Sequence, residues 1–222
     1  QDLARNSPRG SARSLAVLKA WDPIRQKLVW ERPSPTFWNG GILSTAGDIV
    51  VQGDARGILT VYDAASGTVR KTLDVGTSMM AAPMTYRVGG KQYIAIMAGY
   101  GGGPGLYAPY PKQTAAYQYG NAGRIVAFAL GGTEIPKPAP VTDAPFAEPP
   151  PRSGSAQQIA QGRILYNRYC GRCHTGGRGE LPDRRRLSPA THRIFYDIVL
   201  KGIYAPMGMG RFDDALSRKD AQ

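Results

Sequence analysis

The chain has 222 residues, of which 42% are hydrophobic, and its 28 Lys and Arg against 16 Asp and Glu give a formal net charge of +12. This length is sufficient for one or two ordinary domains, and the absence of an apolar run of about eighteen residues excludes an ordinary transmembrane helix. No nucleic-acid-binding motif accompanies the basic charge, so we expect a solvated face or an electron-transfer docking patch rather than a nucleic-acid partner.

One sequence pattern occurs twice in the first part of the chain. Asp22 and Asp63 each follow an aromatic residue and precede a turn and a strand-forming run, and they are 41 residues apart. This is the period of a four-stranded propeller blade. An aspartate at this place fits a turn in which the carboxylate accepts hydrogen bonds from nearby backbone amides. We expect Trp21 and Trp30, inside the first copy, to pack between blades.

Short β-type runs separated by turn residues fill the first 130 positions. They are residues 15–19, 42–44, 49–52, 59–62, 84–88, 93–98 and 124–130. Two blades and the beginning of a closing sheet can be recognised, whereas a free-standing propeller needs about four blades or more. The pattern therefore predicts a fragment of a longer chain. A proline-rich stretch follows, whose composition is typical of a semi-rigid linker.

Cys170, Cys173 and His174 form the sequence C-x-x-C-H, the attachment signature of a c-type haem. Two thiols at this spacing can each form a thioether bond to a haem vinyl group, and the histidine can bind the iron. Three alternatives compete: a disulfide, a thioredoxin-like redox pair without its βαβ context, and a zinc site that has only His192 as a fourth ligand. Covalent haem is the favoured interpretation.

An electron-carrying haem needs a second axial ligand, and two methionines follow the motif in a Gly/Pro-rich loop. Either Met207 or Met209 can supply the thioether, and we prefer Met209. Because one glycine separates them, an extended loop would project both in the same direction. Met207 would then pack against the porphyrin edge.

Helix signals surround the motif. A helix is predicted over residues 155–169, and a second one starts at Ser188 and Pro189, carries an apolar stripe and ends at Gly202. Ser217 and Asp220 form a capping box that opens a last helix, which the end of the chain truncates.

The residues from 18 to 130 resemble the C-terminal blades of the pyrroloquinoline quinone (PQQ)-dependent alcohol dehydrogenases. The similar segments are the two blade repeats and residues 38–41, 44–47, 82–86, 90–93 and 99–102. With a haem motif behind them, the chain resembles the tail of a quinohaemoprotein alcohol dehydrogenase. The resemblance implies a multidomain fold: an all-β propeller fragment over residues 1–132, the last blades of an eight-bladed propeller, a linker over 133–154, and a small all-α cytochrome c domain over 155–222.

The resemblance also implies cofactors and partners. PQQ and calcium would lie near the propeller axis, with Trp38 and Asn39 in contact with the quinone and the following glycines admitting its close approach; the alternative for Trp38 is blade packing. His174 and Met209 would bind the haem iron. Gly208 to Asp213 resembles the family's methionine-ligand loop. The catalytic aspartate and the calcium ligands belong to earlier blades in the family.

The implied parent protein is a periplasmic enzyme, with its export signal upstream of this sequence. It would oxidise a primary alcohol, or a related alcohol or aldehyde, with PQQ and pass electrons through the haem to an external cytochrome, a copper protein or a respiratory quinone chain. We expect the fragment alone to be inactive in dehydrogenation. The alternative is a non-catalytic c-type cytochrome with a β-rich docking domain.

Overall fold

The computed structural model describes residues 16–36, 39–101, 109–143, 145–152, 154–174, 176–179 and 181–221. The chain divides into two compact units, Gln1–Gly101 with Pro111–Val141 and Gly102–Tyr110 with Thr142–Gln222. The first unit is built mainly of β-strands and the second of short helices, which confirms the predicted fold class. Residues 133–141 belong to the first unit and 142–154 to the second, while the domain limits at 132 and 155 stay a prediction.

Nine antiparallel strands form three sheets in the described part of the first unit. Strands β1 (Ala16–Asp22) and β2 (Lys27–Ser34) pair with each other. Strands β3 (Asn39–Ser44), β4 (Ile49–Asp54), β5 (Ile58–Asp63) and β6 (Val69–Asp74) follow in spatial order, as do β7 (Met84–Val88), β8 (Lys91–Ala98) and β9 (Arg124–Ala129). Each predicted β-type run overlaps one of these strands, and β3–β6 is the four-stranded meander expected of one blade.

The two repeated aspartates form the predicted turns. Oδ1 of Asp22 accepts hydrogen bonds from the amides of Ile24 and Arg25, both at 2.9 Å. Oδ1 of Asp63 accepts from the amides of the second and third residues after it, at 3.1 and 2.8 Å. The carboxylate thus satisfies backbone donors that a strand-ending turn leaves free.

The apolar core of the first unit is formed by strands of the two larger sheets and the segment between them. Its buried members are Val51, Leu59, Val75, Met79, Ile96, Ala98 and Val126. Trp30 extends this packing, because its ring stacks on Tyr62 with centroids 6.4 Å apart and its Nε1 donates to the Ala64 carbonyl at 2.9 Å. The prediction for Trp30 is therefore confirmed. Trp21 is 58% exposed, because alternation along β1 puts it on the face opposite to buried Leu18.

One helix of the first unit was not predicted. Helix α1 (Ala115–Tyr119) begins at Thr114, whose side chain caps the Tyr117 amide. Ser78 connects the helix to the sheet region, since its buried hydroxyl accepts from the Ala116 amide at 3.0 Å and donates to the Ala55 carbonyl at 2.6 Å. The five-residue segment is held by this tertiary contact and has no apolar periodicity long enough to reveal it in the sequence.

The second unit consists of short helical segments. Helix α2 (Ala156–Leu165) starts with a capping box between Ser155 and Gln158 and continues into a π-helical turn over Tyr166–Cys170. Helices α3 (Pro189–Arg193) and α4 (Phe195–Val199) follow, flanked by 3₁₀ turns over Arg184–Arg186 and Ala205–Met207. None of the described helices is long and apolar enough to span a bilayer.

The second predicted helix is interrupted. Ser188 caps it and Pro189 occupies its first turn, as predicted. The helix does not run on to Gly202, however, because Ile194 leaves the helical region with φ −101° and ψ 15°. Ile194 is 37% exposed, whereas Ile198 and Val199 are buried, so only the second segment presents the apolar face that the sequence pattern assigned to one long helix.

The last turn of the described chain contains the predicted capping box. The Ser217 amide donates to Oδ2 of Asp220 at 2.9 Å, and the Asp220 amide donates to the Ser217 hydroxyl at 3.2 Å. The Ala221 amide then closes one helical turn on the Ser217 carbonyl at 3.1 Å. The reciprocal pair satisfies two of the free amides at this helix start.

Candidate haem site

The C-x-x-C-H motif is folded into a closed turn at the end of the π-helical segment. The Cys170 carbonyl accepts from the Cys173 amide at 3.0 Å and from the His174 amide at 2.8 Å. The Gly171 amide, in turn, donates to the Tyr166 carbonyl at 2.7 Å, which is the i to i+5 bond of the π turn. Both thiols and the imidazole are therefore carried by one short, internally bonded segment, and all three side chains belong to half-buried residues.

The ring of His174 is oriented by a backbone acceptor. Its Nδ1 lies 3.0 Å from the Pro182 carbonyl, a contact that selects the tautomer with the proton on Nδ1. Nε2 then keeps its lone pair, which is the arrangement that metal-ligating histidines use. The hydroxyl of Tyr166 donates to the His174 carbonyl, so both the ring and the backbone of this residue are fixed.

Asp183 holds the loop that supplies the Pro182 carbonyl. Its side chain is buried, with Oδ2 accepting from the Gly177 amide at 2.8 Å and from Nη2 of Arg185 at 2.6 Å. Its Oδ1 accepts from the Arg185 amide at 3.0 Å. The guanidinium of Arg185, followed by these backbone donors, keeps the pKa of the Asp183 carboxyl well below its usual range. The charged carboxylate thus fixes the loop facing the motif.

Arg184 covers the motif from the same loop. Its guanidinium lies 5.7 Å from the ring centre of Tyr166 and 4.8 Å from that of Phe195, both within the range of cation–π attraction. Burial is the largest influence on the Cys170 thiol and raises its pKa, while the charge of Arg184 acts in the opposite direction. Aromatic rings and a stacked cation therefore shield one side of the motif.

The arrangement fits a covalently held haem better than the alternatives. In the described part of the chain both cysteines are free thiols, so no disulfide is formed. No group of three or more His, Cys, Asp or Glu side chains gathers there as a metal site, so His192 does not complete a zinc cluster. Two free thiols at the attachment spacing, beside an imidazole with an available Nε2, are the donor set that haem c requires.

The methionine loop differs from the extended segment that the sequence predicted. Met207 lies in a 3₁₀ turn that ends at Gly208 with φ +90°, so Met207 and Met209 do not project in one direction as neighbours on an extended strand would. Met207 is 72% exposed, whereas Met209 is half-buried. The loop approaches the motif through Phe212, whose ring meets Tyr169 edge-on at 6.4 Å. The assignment of Met209 as an iron ligand stays a prediction.

The residues predicted to contact PQQ are less fully described. Trp38 lies outside the described residues, and Asn39 begins β3 opposite Asp54, with its side chain outside the description. A Cβ on Gly40 would lie 2.8 Å from two carbonyl oxygens, those of residues 79 and 81, and a Cβ on Gly41 would lie 2.5 Å from the Ala82 Cβ. These glycines therefore permit the close approach of residues 79–82, whereas they were predicted to permit the close approach of the quinone.

Three positioning residues were missed in the sequence. Tyr166, Pro182 and Asp183 all contact the motif or its loop, yet only Tyr166 has a local signal, since it precedes Cys170 by one helical turn. The contact of the Pro182 carbonyl depends on how a distant loop returns to the histidine, and no periodic pattern encodes it.

The comparisons with known proteins match this architecture. The family described as "Glucose/ethanol/alcohol dehydrogenase, beta-propeller domain" matches residues 6–94, and "Cytochrome C oxidase, cbb3-type, subunit III" matches residues 157–222. The chain is 40% identical over 216 residues to the quinohemoprotein alcohol dehydrogenase ADH IIB of Pseudomonas putida, covering 93% of this chain and 30% of that protein. It is 35% identical to the dehydrogenase subunit of an Acetobacter aceti alcohol dehydrogenase (quinone), covering 90% and 27%.

Solved structures give the same result. ADHIIG of Pseudomonas putida HK5 aligns with a TM-score of 0.76 at 36% identity, covering 92% of this chain and 30% of that one. The quinohemoprotein alcohol dehydrogenase of Comamonas testosteroni aligns with a TM-score of 0.70 at 31% identity, covering 92% and 29%. The chain thus spans about 30% of the length of the relatives it matches.

This chain is therefore similar to quinohaemoprotein alcohol dehydrogenases, with one segment that matches a PQQ-type propeller family and one that matches a cytochrome family.

Proposed function

We propose that this chain is the C-terminal part of a PQQ-dependent alcohol dehydrogenase and carries electrons away from the oxidised alcohol through a covalently attached haem c. In the parent reaction a primary alcohol loses two electrons and two protons and becomes an aldehyde. The observation that carries the proposal is the folded motif, in which the Nδ1 of His174 faces the Pro182 carbonyl and leaves Nε2 available beside two free thiols.

Each residue of the motif has a distinct role in the proposal. Haem c, when bound, accepts and donates one electron at a time as its iron changes between the ferric and ferrous states. Cys170 and Cys173 would attach it covalently, and His174 would ligate its iron. Met209 would supply the second ligand, since it is half-buried whereas Met207 is 72% exposed. A thioether there favours ferrous iron and raises the reduction potential.

The PQQ site is proposed from the similarity to quinohaemoprotein alcohol dehydrogenases. PQQ, when bound, takes the two electrons of the alcohol. Trp38 would pack against the cofactor, and Asn39 would form a hydrogen bond to it. Calcium would be held by blades outside this sequence. The proposed setting is the periplasm, where haem attachment normally takes place. An external cytochrome, a copper protein or a respiratory quinone chain would accept the electrons.

The test uses the parent enzyme loaded with PQQ and calcium. We expect a primary alcohol to reduce the haem of the wild-type enzyme. A C170A/C173A variant should still reduce an artificial dye that takes electrons directly from the propeller, because the haem attachment alone is removed. Haem reduction by alcohol without PQQ, or loss of all dye reduction in the variant, would contradict the assigned roles. Ethanol oxidation by the 222-residue chain alone would refute its status as a fragment.

A further inference from the structure

The sequence around the haem motif is basic and has no acidic residue. Residues 149–179 contain five arginines and neither Asp nor Glu. Arg178 is ion-paired with Asp143 at 3.0 Å, and Arg152 precedes helix α2 and is the arginine farthest from the motif in sequence. The remaining arginines, Arg163, Arg168 and Arg172, lie along the helical segment and the motif itself.

These three arginines, here called the arginine face, point to solvent. All three residues are exposed, whereas Tyr166, Tyr169 and Cys170 on the same segment are half-buried. They are spaced five and then four residues apart along the segment that leads into and through the motif. Their positive charge is therefore directed outwards.

No ion pair between described residues neutralises the arginine face. Among the described residues, the ion pairs of this unit involve Arg178, Arg185, Arg186, Lys201 and Arg211. Arg168 rests on the Tyr169 ring at 5.2 Å, which orients the guanidinium but leaves its charge. Like charges along one short segment that no described carboxylate pairs with repel one another, and a partner of opposite charge relieves this repulsion.

We propose that the arginine face is the docking surface for an acidic, soluble electron-carrier protein. The proposal rests on the proposed function, because it names the partner that takes electrons from the haem. Arg172 lies between Cys170 and Cys173, so a partner bound to it is held next to whatever group the two thiols carry. Guanidinium groups match carboxylates in a planar, two-pronged geometry.

A protein partner explains the arrangement better than a membrane surface. Membrane-binding segments usually gather four to eight basic residues with an apolar face that inserts into the lipid. The arginine face has three charges, and the two tyrosines of its segment contact the same unit, Tyr166 at the His174 carbonyl and Tyr169 at the Phe212 ring. Electron-transfer encounters, by contrast, bury little area and depend on electrostatic steering for their rate.

The experiment measures the rate at which the reduced, haem-loaded protein is oxidised by plastocyanin, a soluble acidic copper protein, at increasing ionic strength. The test variant is R163E/R168E/R172E. The matched control is K27E/K71E/R87E, which makes the same change in net charge at exposed positions of the first unit. We expect the test variant to be slower by about tenfold or more at low salt, the control by less than about twofold, and the difference to vanish in about 0.5 M salt.

Equal slowing of the two triple variants would show that only net charge matters and would overturn the docking surface. An unchanged rate in R163E/R168E/R172E would overturn it as well. Binding of the wild type to phosphatidylglycerol vesicles, lost in the test variant while the plastocyanin rate is unaffected, would replace the protein partner by a membrane. A double variant, R163E/R168E, leaves the attachment motif intact and is expected to be slowed severalfold. A protein without a c-type haem spectrum would instead refute the proposed function, which separates the two failures.

Discussion

Replacement of Asp183 tests the idea that a buried carboxylate holds the loop that orients the ring of His174. Oδ2 of Asp183 serves the Gly177 amide and the Arg185 guanidinium, and Oδ1 serves the Arg185 amide. In D183N one oxygen becomes an NH₂ group, so at least one of these donors loses its acceptor in a buried place. Hydrogen bonds to charged groups contribute about 1.5–3 kcal/mol, and the exposed guanidinium screens part of this. We expect D183N to destabilise the haem unit by about 2 kcal/mol.

The alanine variant separates charge from capping. Asp183 also caps the 3₁₀ turn that follows it, a role that asparagine keeps and alanine loses at a further cost of about 1 kcal/mol. D183A should therefore be destabilised by about 3 kcal/mol. For a unit of this size, the loss in D183N corresponds to a fall of about 8–16 °C in melting temperature. The assay is thermal and urea unfolding of the haem-loaded protein, followed by the haem absorbance.

The difference between wild type and D183N has a defined pH dependence. Because the pKa of Asp183 is lowered in the folded state, its contribution is complete above the unfolded pKa of about 3.9 and is lost as the pH falls through the folded value. The stability difference should be constant above about pH 5 and shrink below about pH 4. A D183N protein as stable as the wild type at pH 7, or a difference that grows on acidification, would refute this reasoning.

The remaining predictions concern the iron ligand and the blade packing. M209A should abolish the weak sulfur-to-iron absorption band of the ferric protein and lower its reduction potential, while M207A should keep the band. The reverse pattern would assign the ligand role to Met207. A band kept in both variants would refute methionine ligation. Gly67 has φ +67°, and a Cβ there would lie 2.6 Å from the ring of Trp30, so G67A should cost about 2–4 kcal/mol in urea unfolding. Gly89 has φ +54° with open space around it, so G89A should cost only about 1 kcal/mol, and equal losses would disprove the steric argument.

Features with a local cause were predictable from the sequence. The turns at Asp22 and Asp63 depend on residues two and three positions away, and the predicted helix starts at Ser155 and Ser188 are each capped by the serine side chain. The haem motif belongs to this class as well, since Cys170, Cys173 and His174 are brought together by one turn of backbone.

Features with a tertiary cause were not predictable. Ile194 fits an apolar helical stripe, yet the helix breaks there. The break was not predictable, because hydrophobic periodicity does not show where a chain must turn to bury its next segment. The glycines after Asn39 were predicted to permit the close approach of a cofactor, and in the structure they permit the close approach of residues 79–82. Likewise, the acceptor for the His174 ring comes from Pro182, on a loop that Asp183 holds in place through buried hydrogen bonds.

The most direct test of the account is whether the chain carries covalent haem through Cys170 and Cys173. The protein is produced together with a bacterial haem-attachment system, denatured, and analysed by intact mass and by the alkaline pyridine spectrum. We expect the wild-type protein to show a mass increase of one haem that survives denaturation, together with a c-type spectrum. Both should be lost in C170A/C173A. A denatured wild-type protein without bound haem, or a C170A/C173A protein that retains it, would contradict the central claim.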